Sequence, residues 1–270
     1  MDSKVGFIGC GNMAQAIIKG MVKAKVVPNE NIIVSNPSNE KLEKISKECG
    51  VLTTNDNKQV ALKADIIVLS VKPNKYEKVI SEIKDLVQQS VIIVAIAAGV
   101  SIEKTRIMFK NSNIRVVRAM PNTPALVGEA MTAISPCEEI DKGELKNVTE
   151  IFESFGKCEV VDEALMNAVT GVSGSSPAYV YMFVEAMADA AVLNGMTREK
   201  AYKFAAQSVL GAAKMILETG EHPGKLKDDV CSPSGTTIEA VYALEKSGFR
   251  ASVIAAVDAC IKKSKLMSSK

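Results

Sequence analysis

Gly6-Phe7-Ile8-Gly9-Cys10-Gly11-Asn12-Met13-Ala14 is the stretch whose reading decides the fold. The residues from Val5 to Gly9 read as a short buried strand, and an amphipathic helix runs from Ala14 to about Lys25. Between them lies Gly9-x-Gly11-x-x-Ala14. The first glycine permits a tight turn, the second lets backbone approach a pyrophosphate, and the small third residue lets the helix lie against the strand. The helix start offers free N–H groups to an anion. A glycine triplet alone marks only a tight strand-to-helix turn, but here it opens the first βαβ unit, the context that a dinucleotide site requires.

Working outward, β-branched runs at Asn31–Ser35, Ile66–Ser70, Val91–Ile96 and Ile114–Ala119 alternate with helical stretches. Ile66-Ile67-Val68-Leu69 and Val91-Ile92-Ile93-Val94 are apolar on both faces, as in a parallel sheet covered by helices on both sides. Pro73 stands in a first-turn position, and Ser101 caps a helix that reaches Phe109. After about Val161 the β-branched runs stop. Helical patterns follow at Ala178–Leu193, Arg198–Glu218, Thr237–Lys246 and Ala251–Leu266, with fraying expected from about Ser264. Ala178–Leu193 is nearly all apolar, interrupted by Glu185 and Asp189 on one face, so it must be buried within its own subunit or a neighbour's. The expected fold class is therefore an α/β Rossmann domain with a mostly parallel, doubly wound sheet (residues 1–162), followed by an all-α domain (163–270).

Composition excludes other classes. Among 270 residues, 47% are hydrophobic and 24% charged, and the net charge is only +2. Such a balance gives no broad basic face for nucleic acid or anionic lipid. No apolar run reaches the roughly 18 residues of a membrane span. The strand pattern begins at once after Met1-Asp2-Ser3-Lys4, which leaves no room for a signal peptide. Cys10, Cys49, Cys137, Cys158, Cys231 and Cys260 are widely spaced, without a CxxC pair or neighbouring histidines. That usage points to reduced thiols in a cytoplasm and to no metal site.

The cofactor choice turns on the end of the second strand, where an NAD site usually places a carboxylate on the ribose hydroxyls. This chain reads Val34-Ser35-Asn36-Pro37-Ser38. Ser35, Asn36 and Ser38 can donate to a 2′-phosphate, so NADP is favoured and NAD is a second cofactor. No arginine is present to sharpen the preference. Ser70-Val71-Lys72-Pro73 and Ile96-Ala97-Ala98-Gly99 stand at later strand ends, where open α/β sheets bind ligands. Lys72 is read as a cofactor or substrate contact, with a plain surface charge as the alternative.

Two Ser/Gly/Pro-rich segments, Gly171–Pro177 and Cys231–Thr237, are expected as loops that run into helices, each a site for a small carboxylate or simply a cap. The one histidine, His222, lies between Glu221 and Pro223 and reads as structural, with no His–Asp dyad for proton transfer. Reduction of a C=N bond suits this inventory, because an imine of moderate basicity arrives already protonated.

With both halves in view, the chain resembles pyrroline-5-carboxylate reductases almost end to end. The resemblance rests on Gly6–Ala14, Val71-Lys72-Pro73, Arg118–Pro124, Ala168–Tyr179 and His222–Thr237. It implies NAD(P)H-dependent reduction of 1-pyrroline-5-carboxylate to L-proline, the final step of proline biosynthesis. It implies a cofactor lined by Ile8, Gly9, Cys10, Gly11, Asn12, Met13, Asn36, Asn57, Ser70, Val71, Lys72, Pro73, Ile96, Ala97 and Ala98. Ser232, Gly235, Thr236 and Thr237 would bind the substrate carboxylate, with the Thr237 hydroxyl near the ring nitrogen, and Glu163 and Asp229 are lesser candidates. Thr237 and Lys72 are the residues expected to act in catalysis. Interlocked homodimers that assemble into larger homo-oligomers are implied too. Serine stands at 176 and 234 where this family commonly has glycine, which would strain any position that needs a positive φ. The alternatives are a reductase of another cyclic imine or a keto acid, and a non-catalytic NADP(H) sensor.

Overall fold

A computed structural model describes residues 1–268. Eight strands form one sheet in the order β3-β2-β1-β4-β5-β6-β7-β8: β1 (Val5–Ile8), β2 (Ile32–Ser35), β3 (Leu52–Thr54), β4 (Ile66–Leu69), β5 (Ile92–Ala95), β6 (Arg115–Met120), β7 (Ala130–Pro136) and β8 (Gly156–Val160). Neighbours run parallel except β6 and β7. The helices that alternate with them are α1 (Asn12–Ala24), α2 (Asn39–Cys49), α3 (Asn57–Lys63), α4 (Tyr76–Ile83), α5 (Ile102–Phe109) and α6 (Lys142–Glu153). Strands β1, β2, β4 and β5 are buried along their whole length. Two apolar layers cover the sheet, one around Ile17, Ile45 and Phe152 and the other around Val60, Tyr76 and Ile80. This is the doubly wound arrangement expected from the apolar runs.

Three strands escape a reading of hydrophobic runs. β3 has only three residues and is largely exposed. β7 (Ala-Met-Thr-Ala-Ile-Ser-Pro) mixes small and polar residues, and β8 is an edge strand with Lys157 and Glu159. Edge position and polar composition remove the signal that core strands carry.

The helices of the second half are α7 (Met166–Val169), α8 (Ser176–Leu193), α9 (Arg198–Thr219), α10 (Pro223–Asp229), α11 (Thr236–Lys246) and α12 (Phe249–Ser268). By contact density the chain divides into two compact units. One holds residues 1–175 with the chain from Cys260 onward, the other residues 176–259. Residues 163–175, helical in structure, thus group with the sheet.

Two expectations need correction. Gly171–Pro177 is not a loop: Thr170–Gly174 forms a π-helical turn that joins α7 to α8. Asn122 donates to the Ser173 hydroxyl at 3.2 Å, and the Cys260 thiol donates to Ser175 Oγ at 3.2 Å. These tertiary contacts hold helical a segment whose Ser, Gly and Pro content reads as a break. Nor does α12 fray from Ser264. That residue is buried and its hydroxyl donates to Asn167 Oδ1 at 2.7 Å, an anchor hidden among lysines that read as a solvated end.

In the second unit, α8 and α9 pair closely. Asp189 receives Arg198, and the rings of Phe183 and Phe249 meet at 5.9 Å. Yet the buried apolar residues of 176–259 are only Ala188, Ala201 and Ala205. Tyr181, Met182, Phe204, Leu217, Tyr242 and Ile254 are all more than 60% exposed. Exposed apolar area on that scale marks a surface made to be covered.

Candidate active site

The strand order reverses between β1 and β4, and ligands of open α/β sheets bind outside the strand ends at such a point. Gly9 leaves β1 with φ +104°, a backbone region that side chains rarely enter. A Cβ there would lie 2.7 Å from the Ser70 carbonyl oxygen and 2.9 Å from Val71 Cγ1. The turn is pinned from both sides: Gly9 N–H donates to Ser35 O at 2.9 Å, and the Ser70 hydroxyl donates to Gly9 O at 2.8 Å. Gly11 occupies the cap position of α1. No side chain caps that helix, no acidic residue stands in its first turn, and a Cβ on Gly11 would meet nothing within 4 Å. Ala14 is fully buried against the sheet, as the small third position requires. Open space in front of an uncapped helix start fits a diphosphate.

The electrostatics agree. Burial pushes the Cys10 thiol up, only partly opposed by the nearby Lys41 cation, so the loop carries no thiolate to repel phosphate. Cys10 N–H donates to Asn36 Oδ1 at 3.1 Å, and Gln15 Nε2 donates to Cys10 O at 3.1 Å. Asn36 therefore ties the end of β2 to the phosphate loop. Ser38 caps α2 in backbone conformation but makes no side-chain cap bond. Ser35 departs from its reading: it is fully buried, and its hydroxyl donates to Asn57 Oδ1 at 2.7 Å instead of facing a ligand. A side chain on a buried strand end points into the sheet's own packing.

Lys72 is exposed, just beyond β4, and Pro73 opens the short 3₁₀ turn Pro73–Lys75. Ala97 is buried, while Ile96 and Ala98 are half-buried beside it. A residue that sequence reading missed holds these two strand ends together. The buried Tyr76 hydroxyl donates to Leu69 O at 2.7 Å and accepts from Ala97 N–H at 3.2 Å. Burial raises its pKa strongly, so it stays neutral and serves as both donor and acceptor. Nothing in the local pattern of α4 distinguishes it from an ordinary core aromatic. Glu163 Oε1 accepts from Ile102 N–H at 2.9 Å and from the buried Arg118 at 3.2 Å, so that oxygen is engaged within the first unit.

The second unit holds the remaining candidates. The Gly235 N–H donates to Ser232 O at 3.0 Å and closes a turn that delivers the chain into α11. No side chain caps α11, so its first N–H groups, with the hydroxyls of Thr236 and half-buried Thr237, stand at an open helix start. Ser234 has φ +55°, one of three non-glycine residues in the left-handed region among the described residues, whereas Ser176 lies inside α8. The strain anticipated for the two serines therefore falls on Ser234 alone. Asp229 pairs with Lys225 at 2.7 Å, and His222 caps α10 by accepting the Gly224 N–H at 3.0 Å. Among the described residues no helix is long and apolar enough to cross a membrane.

Comparison with known proteins meets this geometry in both halves. Residues 4–99 match the family model "NADP oxidoreductase coenzyme F420-dependent", and residues 163–267 match "Pyrroline-5-carboxylate reductase dimerisation". Full-length similarity decides the matter: the pyrroline-5-carboxylate reductase of Escherichia coli (strain K12) is 50% identical over 268 residues, 99% of each chain. The chain belongs to the pyrroline-5-carboxylate reductase family. The reductase of Methanosarcina acetivorans is 43% identical over 269 residues, covering 100% of this chain and 99% of its own. Among solved structures, that of the Coxiella burnetii reductase superposes with a TM-score of 0.93 at 36% identity, over 99% of both chains. The Plasmodium falciparum enzyme, solved with NADP bound, gives 0.88 at 34% identity over 98% of both. The chain is thus an oxidoreductase with a Rossmann fold and a dimerisation region, as the sequence reading held.

Proposed function

We propose that the chain reduces the C=N bond of 1-pyrroline-5-carboxylate to give L-proline, the last step of proline biosynthesis, with NADPH preferred and NADH as a weaker substitute. The observation that carries this reading is the pair of uncapped helix starts, α1 at Gly11 and α11 at Gly235, within a chain of this family. Bound NADPH supplies the hydride. Ile8 to Met13 hold its diphosphate, Asn36 and Asn57 its adenosine end, and Ser70 to Pro73 with Ile96 to Ala98 flank the nicotinamide side. Small alanines at 97 and 98 leave room for a ring against backbone. Lys72, exposed at the end of β4, contributes a cation on that side.

The N–H groups of α11, with Ser232, Gly235 and Thr236, hold the substrate carboxylate, which the positive end of a helix dipole favours. Thr237 places its hydroxyl by the ring nitrogen. Glu163 and Asp229 shape the surroundings through Arg118 and Lys225, since a carboxylate facing the substrate's own would repel it. No side-chain relay is needed, because the imine brings its proton, and binding and orientation account for most of the rate. Active molecules are homodimers joined into a larger homo-oligomer, and the site of action is the cytoplasm, where six free cysteines stay reduced.

The test is NADPH oxidation with pyrroline-5-carboxylate against piperideine carboxylates and keto acids. Fast turnover with the five-membered imine is expected. Faster turnover with another substrate, or NADP(H) binding without turnover, contradicts the reading.

A further inference from the structure

Asn57 opens α3 beside the end of β2, and both faces of its amide are engaged by protein. Its Oδ1 receives the hydroxyl of the fully buried Ser35 at 2.7 Å, and its Nδ2 donates to Glu82 Oε2 at 2.7 Å. Glu82 is a half-buried residue of α4. An amide can turn over and exchange its oxygen and nitrogen, but a carboxylate accepts only. Glu82 therefore forces the NH₂ edge of Asn57 towards α4 and leaves Oδ1 for Ser35. A hydrogen bond to a charged acceptor is about twice as strong as a neutral one, enough to settle the orientation.

We propose that Glu82 is a positioning residue for the dinucleotide: it locks the Asn57 amide so that the second N–H of Nδ2 stays presented to the cofactor's ribose-phosphate end. The inference rests on the reading of Asn57 as cofactor-lining. Ser35, though buried, then bears on the same site, since its hydroxyl holds Asn57 Oδ1 while Glu82 holds Nδ2.

The experiment measures NADPH affinity by calorimetry, together with KM and kcat, in the full-length enzyme. Glu82→Ala is expected to weaken NADPH binding about five- to tenfold and to raise KM for NADPH in parallel. Its kcat and its KM for the imine should stay within about twofold. Glu82→Gln keeps an acceptor but can also turn its NH₂ edge towards Asn57 and carries no charge, so it should recover affinity only in part, to a value between those of the alanine variant and the unaltered enzyme. Should the alanine variant fail to fold, Glu82→Met fills the space without an acceptor and carries the same expectation. The proposal is overturned if Asn57→Ala weakens binding while Glu82→Ala and Glu82→Met do not. It is overturned equally if the glutamine variant binds NADPH as tightly as the unaltered enzyme, since an accept-only, charged partner would then be unnecessary. An Asn57→Ala variant with unchanged affinity removes the underlying reading of Asn57, and the proposal falls with it.

Discussion

The turn at Gly9–Gly11 and the turn at Ser232–Gly235 are each proposed to receive an anion, yet they are built differently. The first is locked by its own chain: buried β1 and β4 flank it, Ser35 and Ser70 pin Gly9, and Asn36 and Gln15 hold Cys10. The second is closed by a single backbone bond, from Gly235 N–H to Ser232 O, and carries a serine at φ +55°. Its unit buries three alanines and exposes large apolar side chains. The proposed phosphate-binding turn, at the strand ends of a doubly covered sheet, is built from one chain alone. The proposed carboxylate-binding turn sits on helices with so little core of their own that a second copy is needed to cover them. The contrast teaches that the two halves should fail in different ways.

The largest effect expected is from charge on the uncovered helices. Met182→Asp combined with Phe204→Asp should dissociate the oligomer and lower activity more than about a hundredfold, because each buried charge costs several kcal/mol at an apolar interface. Light scattering reads the mass, and NADPH binding should survive. Retention of the oligomer would break the comparison. Next, Gly11→Asp has room for its side chain but places a carboxylate where the diphosphate docks. NADPH affinity should drop about a hundredfold with the oligomer intact, since repulsion replaces a favourable helix terminus. Thr237→Ala should lower turnover about ten- to a hundredfold while leaving NADPH affinity within about twofold, as loss of one well-placed polar group does. Full activity would remove Thr237 from the substrate role. Smallest, Ser234→Gly should raise stability by about 0.5–1 kcal/mol in denaturant titrations at fixed protein concentration, by relieving a left-handed serine.

The sequence revealed most of the sheet because buried parallel strands must be apolar on both faces, and β1, β2, β4, β5 and β6 are found within about one residue of the apolar runs. It concealed β7, whose small and polar residues break the apolar run although it is paired on both sides, and β8, where polar and charged residues suit an edge, and it disguised the π-helical turn at Thr170–Gly174 as a loop. The tight turn at Gly9–Gly11 was legible because glycine there is a backbone requirement that leaves a spaced motif. Ser35 misled because its hydroxyl type fits a phosphate, while its place on a buried strand aims it at Asn57. Tyr76 and Glu82 left no trace: their roles are tertiary, joining atoms from segments that only the fold brings together.

One measurement addresses the central claim most directly: a crystal structure of the oligomer with NADP and L-proline. The diphosphate should lie on the N–H groups that begin α1, and the proline carboxylate on those that begin α11, next to Thr237. A nucleotide bound elsewhere, or an α11 start closed off by packed side chains, would contradict it.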